Sequence, residues 1–198
     1  MVHRPLVIDD IEDLRTYERG RDAYRRRIIE LKRLRRVGVG PIMTLVFENR
    51  ETVRFQVQEM ARAERMVTDE QVQTELDVYN ALLPAPGELS ATLFIELTDE
   101  AALREWLPKL VGVERSFELR VGGDGEAAPA VPESAHEEAL TRPTMTASVH
   151  YLRFPLTSEQ VARFGPGPVV VATTHPEYRH HTVVSDETRR ELLNDLIQ

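Results

Sequence analysis

The sequence contains no cysteine. That absence excludes disulfides, thiolate nucleophiles, cysteine-ligated iron–sulfur clusters and cysteine-type zinc sites. It also lacks a long apolar run: nothing approaches the roughly 20 residues that a membrane-spanning helix needs. The opening MVHRPLVIDDIEDL carries acids where a secretion signal would need an apolar stretch, so a cytoplasmic location is expected. Phosphate-binding glycine loops are missing too. Gly38-Val39-Gly40-Pro41 is short and leads into a strand, and Gly122-Gly123-Asp124-Gly125 is turn chemistry. No nucleophile elbow of the G-x-S-x-G kind occurs.

What is present is a chain of 198 residues with 41% hydrophobic and 29% charged residues, the balance of a folded globular protein. The net charge of −8 disfavours nucleic acid as the main partner. The charge is uneven. Between Arg15 and Arg36 stand ten basic residues against three acidic ones, a local +7 that leaves −15 for the remainder.

Periodicity predicts an α+β fold. Ile11, Leu14, Tyr17, Tyr24, Ile28, Leu31 and Leu34 mark one face of a long N-terminal amphipathic helix, with Gly20 inside it and Gly38 and Gly40 ending it. Ile42 to Phe47 reads as a strand, and Asn49 as the cap of a helix over Arg50 to Val67. Thr68 with Gln71 forms a capping box for a third helix, stopped at Pro84-Ala85-Pro86-Gly87. Leu89 to Leu97 alternates as a strand, and Thr98 opens a short helix. Phe117 to Val121, Met145 to Phe154 and Val169 to Thr174 are further strands, and Ser185 caps a last helix. The Ala-, Pro-, Glu- and Ser-rich stretch 126–143 reads as a mobile loop. Without regular βαβ alternation, the expectation over 1–198 is a single domain with one mixed or mainly antiparallel sheet of about five strands and helices packed on it.

Candidate chemistry concentrates at the strand-to-helix junction Glu48-Asn49-Arg50 and the helix after it. There, Glu48, Arg50, Glu59, Arg62 and Glu64, with Glu96 and His175 from elsewhere, have two readings. In one they are helix ion pairs, Glu59 with Arg62 and Glu51 with Arg54. In the other they are a buried Glu/Arg network lining a ligand or active-site pocket; that reading requires Glu48 and Glu64 to be less exposed than Glu51. Histidines His3, His136, His150, His175, His180 and His181 lack the spacing of a rigid metal site. His175-x₄-His180-His181 falls in a loop, and His150 reads as a core histidine. No metal and no cofactor is expected. The basic helix has three readings: internal pairing with the acidic remainder, docking of an acidic protein through Arg25, Arg26, Lys32, Arg33 and Arg36, or polyanion binding.

The runs VGPIMTLVFENRETVRFQVQEMARAER, ELDVYNALLPAPGELSATLFIEL and HPEYR, with Tyr17-Glu18-Arg19 and Arg25-Arg26-Arg27-Ile28 before them, resemble the bacterial family called domain of unknown function 3501. The resemblance covers nearly the whole chain. It implies no catalytic residues, because the family's activity is unknown. It does imply a redox or oxidative-stress setting, since genes of the family stand beside those for rubrerythrin-like and iron–sulfur oxidoreductase proteins. A chain without cysteine then reads as a non-catalytic accessory protein with a redox protein as partner. An enzyme or ligand-binding protein built on the Glu/Arg pocket is the alternative, and a nucleic-acid binder the third. The oligomeric state stays open, a homo-oligomer included.

Overall fold

The computed structural model describes residues 4–123, 127–133, 141–142 and 144–197. Among these are six α-helices: α1 (Leu14–Leu34), α2 (Arg50–Ala63), α3 (Asp69–Tyr79), α4 (Glu100–Lys109), α5 (Ser158–Phe164) and α6 (Asp186–Ile197). The larger sheet has the order β1 (Arg36–Val39), β2 (Met43–Glu48), β3 (Glu88–Ile95), β9 (Val149–Pro155), β6 (Val131–Pro132). The smaller has the order β11 (Tyr178–Val183), β10 (Val169–His175), β4 (Phe117–Val121), β5 (Ala128–Pro129). A two-residue pair joins β7 (Thr141–Arg142) to β8 (Met145–Thr146). Every pairing is antiparallel.

The fold is therefore α+β with an antiparallel five-stranded sheet and a long amphipathic N-terminal helix, as the periodicity predicts, and a second sheet of four strands is added to it. One apolar core fills the space between the two sheets. Leu45, Phe47, Leu93 and Phe154 enter it from the larger, and Phe117, Leu119, Val171 and Tyr178 from the smaller. The sheets are tied together at both margins. On one side Ala128–Pro132 bends at Ala130, so that β5 pairs with β4 and β6 with β9. This stretch belongs to the segment expected as a mobile loop; residues 134–140 lie outside the described residues. On the other side the Tyr178 hydroxyl donates to the Val39 carbonyl at 2.8 Å and accepts from the Ile42 amide at 3.1 Å. Thr182 Oγ1 adds a bond of 2.6 Å to the Gly38 carbonyl.

Several boundaries differ from the expectation. The first helix ends at Leu34 because Val37 and Val39 are buried alternately with exposed Gly38 and Gly40, which makes Arg36–Val39 a strand. Gly40, at φ +70, turns β1 into β2. Helix α2 stops at Ala63, not Val67. Arg65 takes the left-handed conformation at φ 53. The Met66 amide reaches the Ala61 carbonyl and the Arg65 amide the Arg62 carbonyl, which is the Schellman closure, with buried Met66 as its apolar contact. Asp99, not Thr98, caps α4. His180 and His181 lie on strand β11, not in a loop, because Pro176-Glu177 makes a tight turn between β10 and β11.

Helices α2 and α3 cover the other face of the larger sheet over a second apolar cluster of Leu6, Val53, Val57, Leu76, Leu82 and Leu83. Strand β3 is consequently buried on both faces, where the sequence alternation alone reads as one apolar and one more polar face. Among the described residues no helix is long and apolar enough to cross a membrane.

Candidate functional site

The pocket reading would bring seven residues together. No two of them share a hydrogen bond or an ion pair among the described residues. Arg50 reaches back to the N-terminal segment, pairing with Asp10 and donating to the Arg4 carbonyl at 3.1 Å. Burial opposes the Asp10 charge, but the hydrogen bond from Arg50 and those behind it outweigh burial and hold this carboxyl below its ordinary range. Glu59 crosses to α1, accepting from Arg21 at 2.7 and 2.8 Å and from the Tyr17 hydroxyl at 2.6 Å. The Arg21 hydrogen bond is the main cause of a lowered Glu59 pKa, against burial and with help from Tyr17. Arg62 takes Glu18 of α1 at 2.9 Å. The local pairs expected along α2 give way to pairs between helices: Glu51 meets Arg27 at 3.1 Å, and Arg54 donates to the Asp10 carbonyl at 2.6 Å. These ion pairs clasp α1 to α2.

Glu64 corrects the pocket reading directly. It is exposed while Glu51 is half-buried, because α2 has ended and Glu64 is its C-cap. Glu96 pairs with Arg36 at 3.3 Å and accepts from Thr44 at 2.8 Å. His175 is buried in the β10–β11 turn, with Nε2 3.2 Å from the Val111 carbonyl and Nδ1 accepting from the Glu177 amide at 3.3 Å. His150 is a core histidine, 2.8 Å from Thr146 Oγ1 and 3.0 Å from the Ala147 carbonyl. His3 and His136 lie outside the described residues. No three His, Asp or Glu side chains among the described residues stand together as metal ligands.

Glu48 is buried, at 2% exposure. Thr92, on the neighbouring strand, donates to its Oε1 at 2.7 Å, and Oε2 has no hydrogen-bond partner among the described residues. Tyr151 lies opposite Thr92 across β3 and β9. Burial and then the Glu48 charge raise the Tyr151 pKa, so the phenol stays protonated. Tyr79 packs in the same cluster, and burial, then Tyr151 and Glu75, raise its pKa also.

Sequence reasoning missed the most buried ionic group. Arg35 is fully enclosed. Its Nε donates to the Phe47 carbonyl at 2.8 Å, Nη2 to the Glu48 carbonyl at 3.1 Å, and Nη1 to Glu191 at 3.0 Å, while Asp195 accepts from Nη2. The guanidinium thus anchors the end of β2 to α6. Its signal was hidden in a run of exposed cations, which differ from it only in where the helix stops.

The basic face of α1 divides along its length. Arg21, Arg27, Arg33, Arg35 and Arg36 have carboxylate partners on other elements. Arg25, Arg26 and Lys32 have no ion pair among the described residues. Arg25, Lys32, Arg33 and Arg36 rim a groove of about 400 Å³ whose floor is Ile28, Ile29 and Phe55. Ile29 is 49% exposed there.

The known proteins add kinship without a function. No curated protein matches. A solved structure, titled as a novel protein of unknown function from Burkholderia pseudomallei K96243, is 32% identical, covers 98% of this chain and 100% of its own, and superposes with a TM-score of 0.89. With a family model matched over residues 5–196, the chain belongs to the family described as protein of unknown function, DUF3501.

Proposed function

We propose that this protein is a non-catalytic accessory protein of a cytoplasmic redox or oxidative-stress system, and that it docks an acidic protein partner along α1. The observation that carries the reading is the cationic groove. In a chain of net charge −8, Arg25 and Lys32 have no carboxylate partner among the described residues and stand beside an apolar floor at Ile29 and Phe55. A charged rim around an apolar centre is the anatomy of a docking surface, where the rim sets encounter rate and the centre supplies affinity. Of the Glu/Arg residues that would serve an enzyme, Arg50, Glu59 and Arg62 are engaged in ion pairs to the N-terminal segment and α1. The redox setting rests on the family resemblance, and the missing cysteine assigns any thiolate-held cluster to the partner.

The test is affinity purification from the native host with the full chain and with Arg25→Glu/Lys32→Glu. The expected result is an oxidoreductase that co-purifies with the wild type at low salt and is lost with the double variant at unchanged melting temperature. Recovery of no oxidoreductase, or equal recovery by both chains, overturns the proposal.

A further inference from the structure

The exposed face of the smaller sheet carries a second concentration of cations, unrelated to α1. Side chains alternate along β10, so Val169 and Val171 enter the core while Val170, Ala172 and Thr174 face the other way. The register fixes their neighbours. Val170 lies between Arg120 and Val183, Ala172 between Glu118 and His181, and Thr174 opposite Arg179. Ala172 is the smallest residue in this array, and the longer side chains around it leave a cleft of about 420 Å³. Arg120, Arg179, His180 and His181 line it, with Thr173 and Thr174 at one end, and no carboxylate does. Glu118 stands beside the cleft and accepts from Arg120 Nε at 2.7 Å. Arg179 has no ion pair or hydrogen bond from its side chain among the described residues. Edge strands often carry cations to block pairing with other chains. Here the cations surround a floor, and their rows are ordered Arg120, His181, Arg179 along the strand direction.

We propose that this cleft binds a phosphoryl group, as inorganic phosphate or as a small phosphomonoester. Two guanidinium groups and an imidazole line one cleft from the rows of Val170, Ala172 and Thr174, which suits the several oxygens of a tetrahedral oxyanion. A planar carboxylate would occupy one arginine fork and leave the other unused. Glu118 neutralises part of Arg120, so Arg179 carries the largest share of the attraction.

The experiment follows backbone amide NMR shifts of the full chain at low salt during titration with inorganic phosphate, phenyl phosphate and benzoate. Saturable shifts confined to Thr173–Thr174 and Arg179–His181 are expected with the two phosphates, at least tenfold tighter than with benzoate. Equal affinity for the two identifies free phosphate, and tighter binding of phenyl phosphate identifies a phosphomonoester. Arg179→Gln, an exposed substitution, should weaken binding by about tenfold or more, and Arg25→Gln/Lys32→Gln should leave it unchanged. The proposal is overturned by absent shifts at millimolar phosphate, by Arg179→Gln binding as the wild type does, or by benzoate matching the phosphates. Binding of an RNA oligonucleotide without either small phosphate would overturn it as well, in favour of an extended polyanion surface.

Discussion

Replacing Arg35 by methionine tests how the end of β2 is held. Methionine keeps much of the length of the side chain and removes every donor. Four contacts go at once: two main-chain carbonyls of β2 and two carboxylates of α6. Glu191 is 24% exposed and recovers water, but Asp195 is 4% exposed and does not. Removing one member of a buried ion pair typically costs ~3–5 kcal/mol, because the other charge stays buried. For a chain of this size each kcal/mol moves the melting temperature by about 2–4 °C, so a fall of roughly 6–20 °C is expected. Urea denaturation of the wild type, Arg35→Met and Arg35→Lys measures it. Lysine keeps the charge as a single point and lacks the planar fork, so it should restore only part of the loss. The double variant Arg35→Met/Asp195→Leu removes the buried carboxylate that faced the guanidinium and should be more stable than Arg35→Met alone. A loss below about 1 kcal/mol for Arg35→Met, or a double variant weaker than the single, would falsify the view that this guanidinium is the anchor.

Two glycines should respond in opposite ways. Gly20 lies inside α1 with nothing within 4 Å of an added Cβ, so Gly20→Ala should stabilise by about 0.5–1 kcal/mol in urea melts. Gly40 has φ +70, and its Cβ would stand 2.5 Å from the Tyr178 hydroxyl oxygen and 2.6 Å from His180 Cγ; Gly40→Ala should destabilise by roughly 2–4 kcal/mol through backbone strain and overpacking. The Glu59 clasp has a pH signature. Its folded pKa is depressed, so its contribution is complete above the unfolded value near 4.5 and disappears as pH falls through the folded one. Glu59→Gln should therefore melt below the wild type at pH 7, and the gap should close under acid; a gap that holds constant down to about pH 3 would show that the clasp is not ionic.

Local order was largely legible. The Thr68–Gln71 capping box, the Asn49 and Ser185 caps, the alternation in β3 and β4 and the β-branched run of β10 each correspond to an observed element. Besides β5 and β6 in the expected loop, strands β1 and β11 were hidden for physical reasons. Strand β1 holds Gly38 between two valines, and a glycine after a basic helix end looks like a stop signal. Strand β11 reads Tyr-Arg-His-His-Thr-Val, whose outer residues face water at a sheet edge and show no apolar period. Helix α5 did leave a signal, the Thr157–Gln160 capping box, but it is only seven residues long. The candidate site was less legible because charge pairing is not local. Glu59 and Arg62 have the spacing of a helical pair, yet their partners Arg21 and Glu18 are 38 and 44 residues away. Burial of Glu48 could be inferred from the strand-to-helix junction. Exposure of Glu64 could not, since it depends on a helix end set by Arg65 turning left-handed and Met66 folding inward.

The excess of cations between Arg15 and Arg36 has two distinct destinations. Toward its end, α1 approaches α6, and Glu187, Glu191 and Asp195 neutralise Arg33 and Arg35. Along its flank, Glu51 and Glu59 of α2 neutralise Arg27 and Arg21. Both sets hold the helix or its end to a neighbouring helix, so replacing their carboxylates should act on stability. Arg36 pairs separately with Glu96, and Arg25, Arg26 and Lys32, like Arg15 and Arg19, have no ion pair among the described residues. If all ten cations served the fold, charge reversal at Arg25, Arg26 and Lys32 would destabilise, as is expected at Arg21 and Arg35. If they serve a partner, reversal leaves the melting temperature in place and changes the association rate and its salt dependence. Position along the helix therefore divides the cluster: carboxylates of the same chain meet Arg21, Arg27, Arg33 and Arg35, and the melting temperatures and association rates of the reversal variants decide which use the outer cations have.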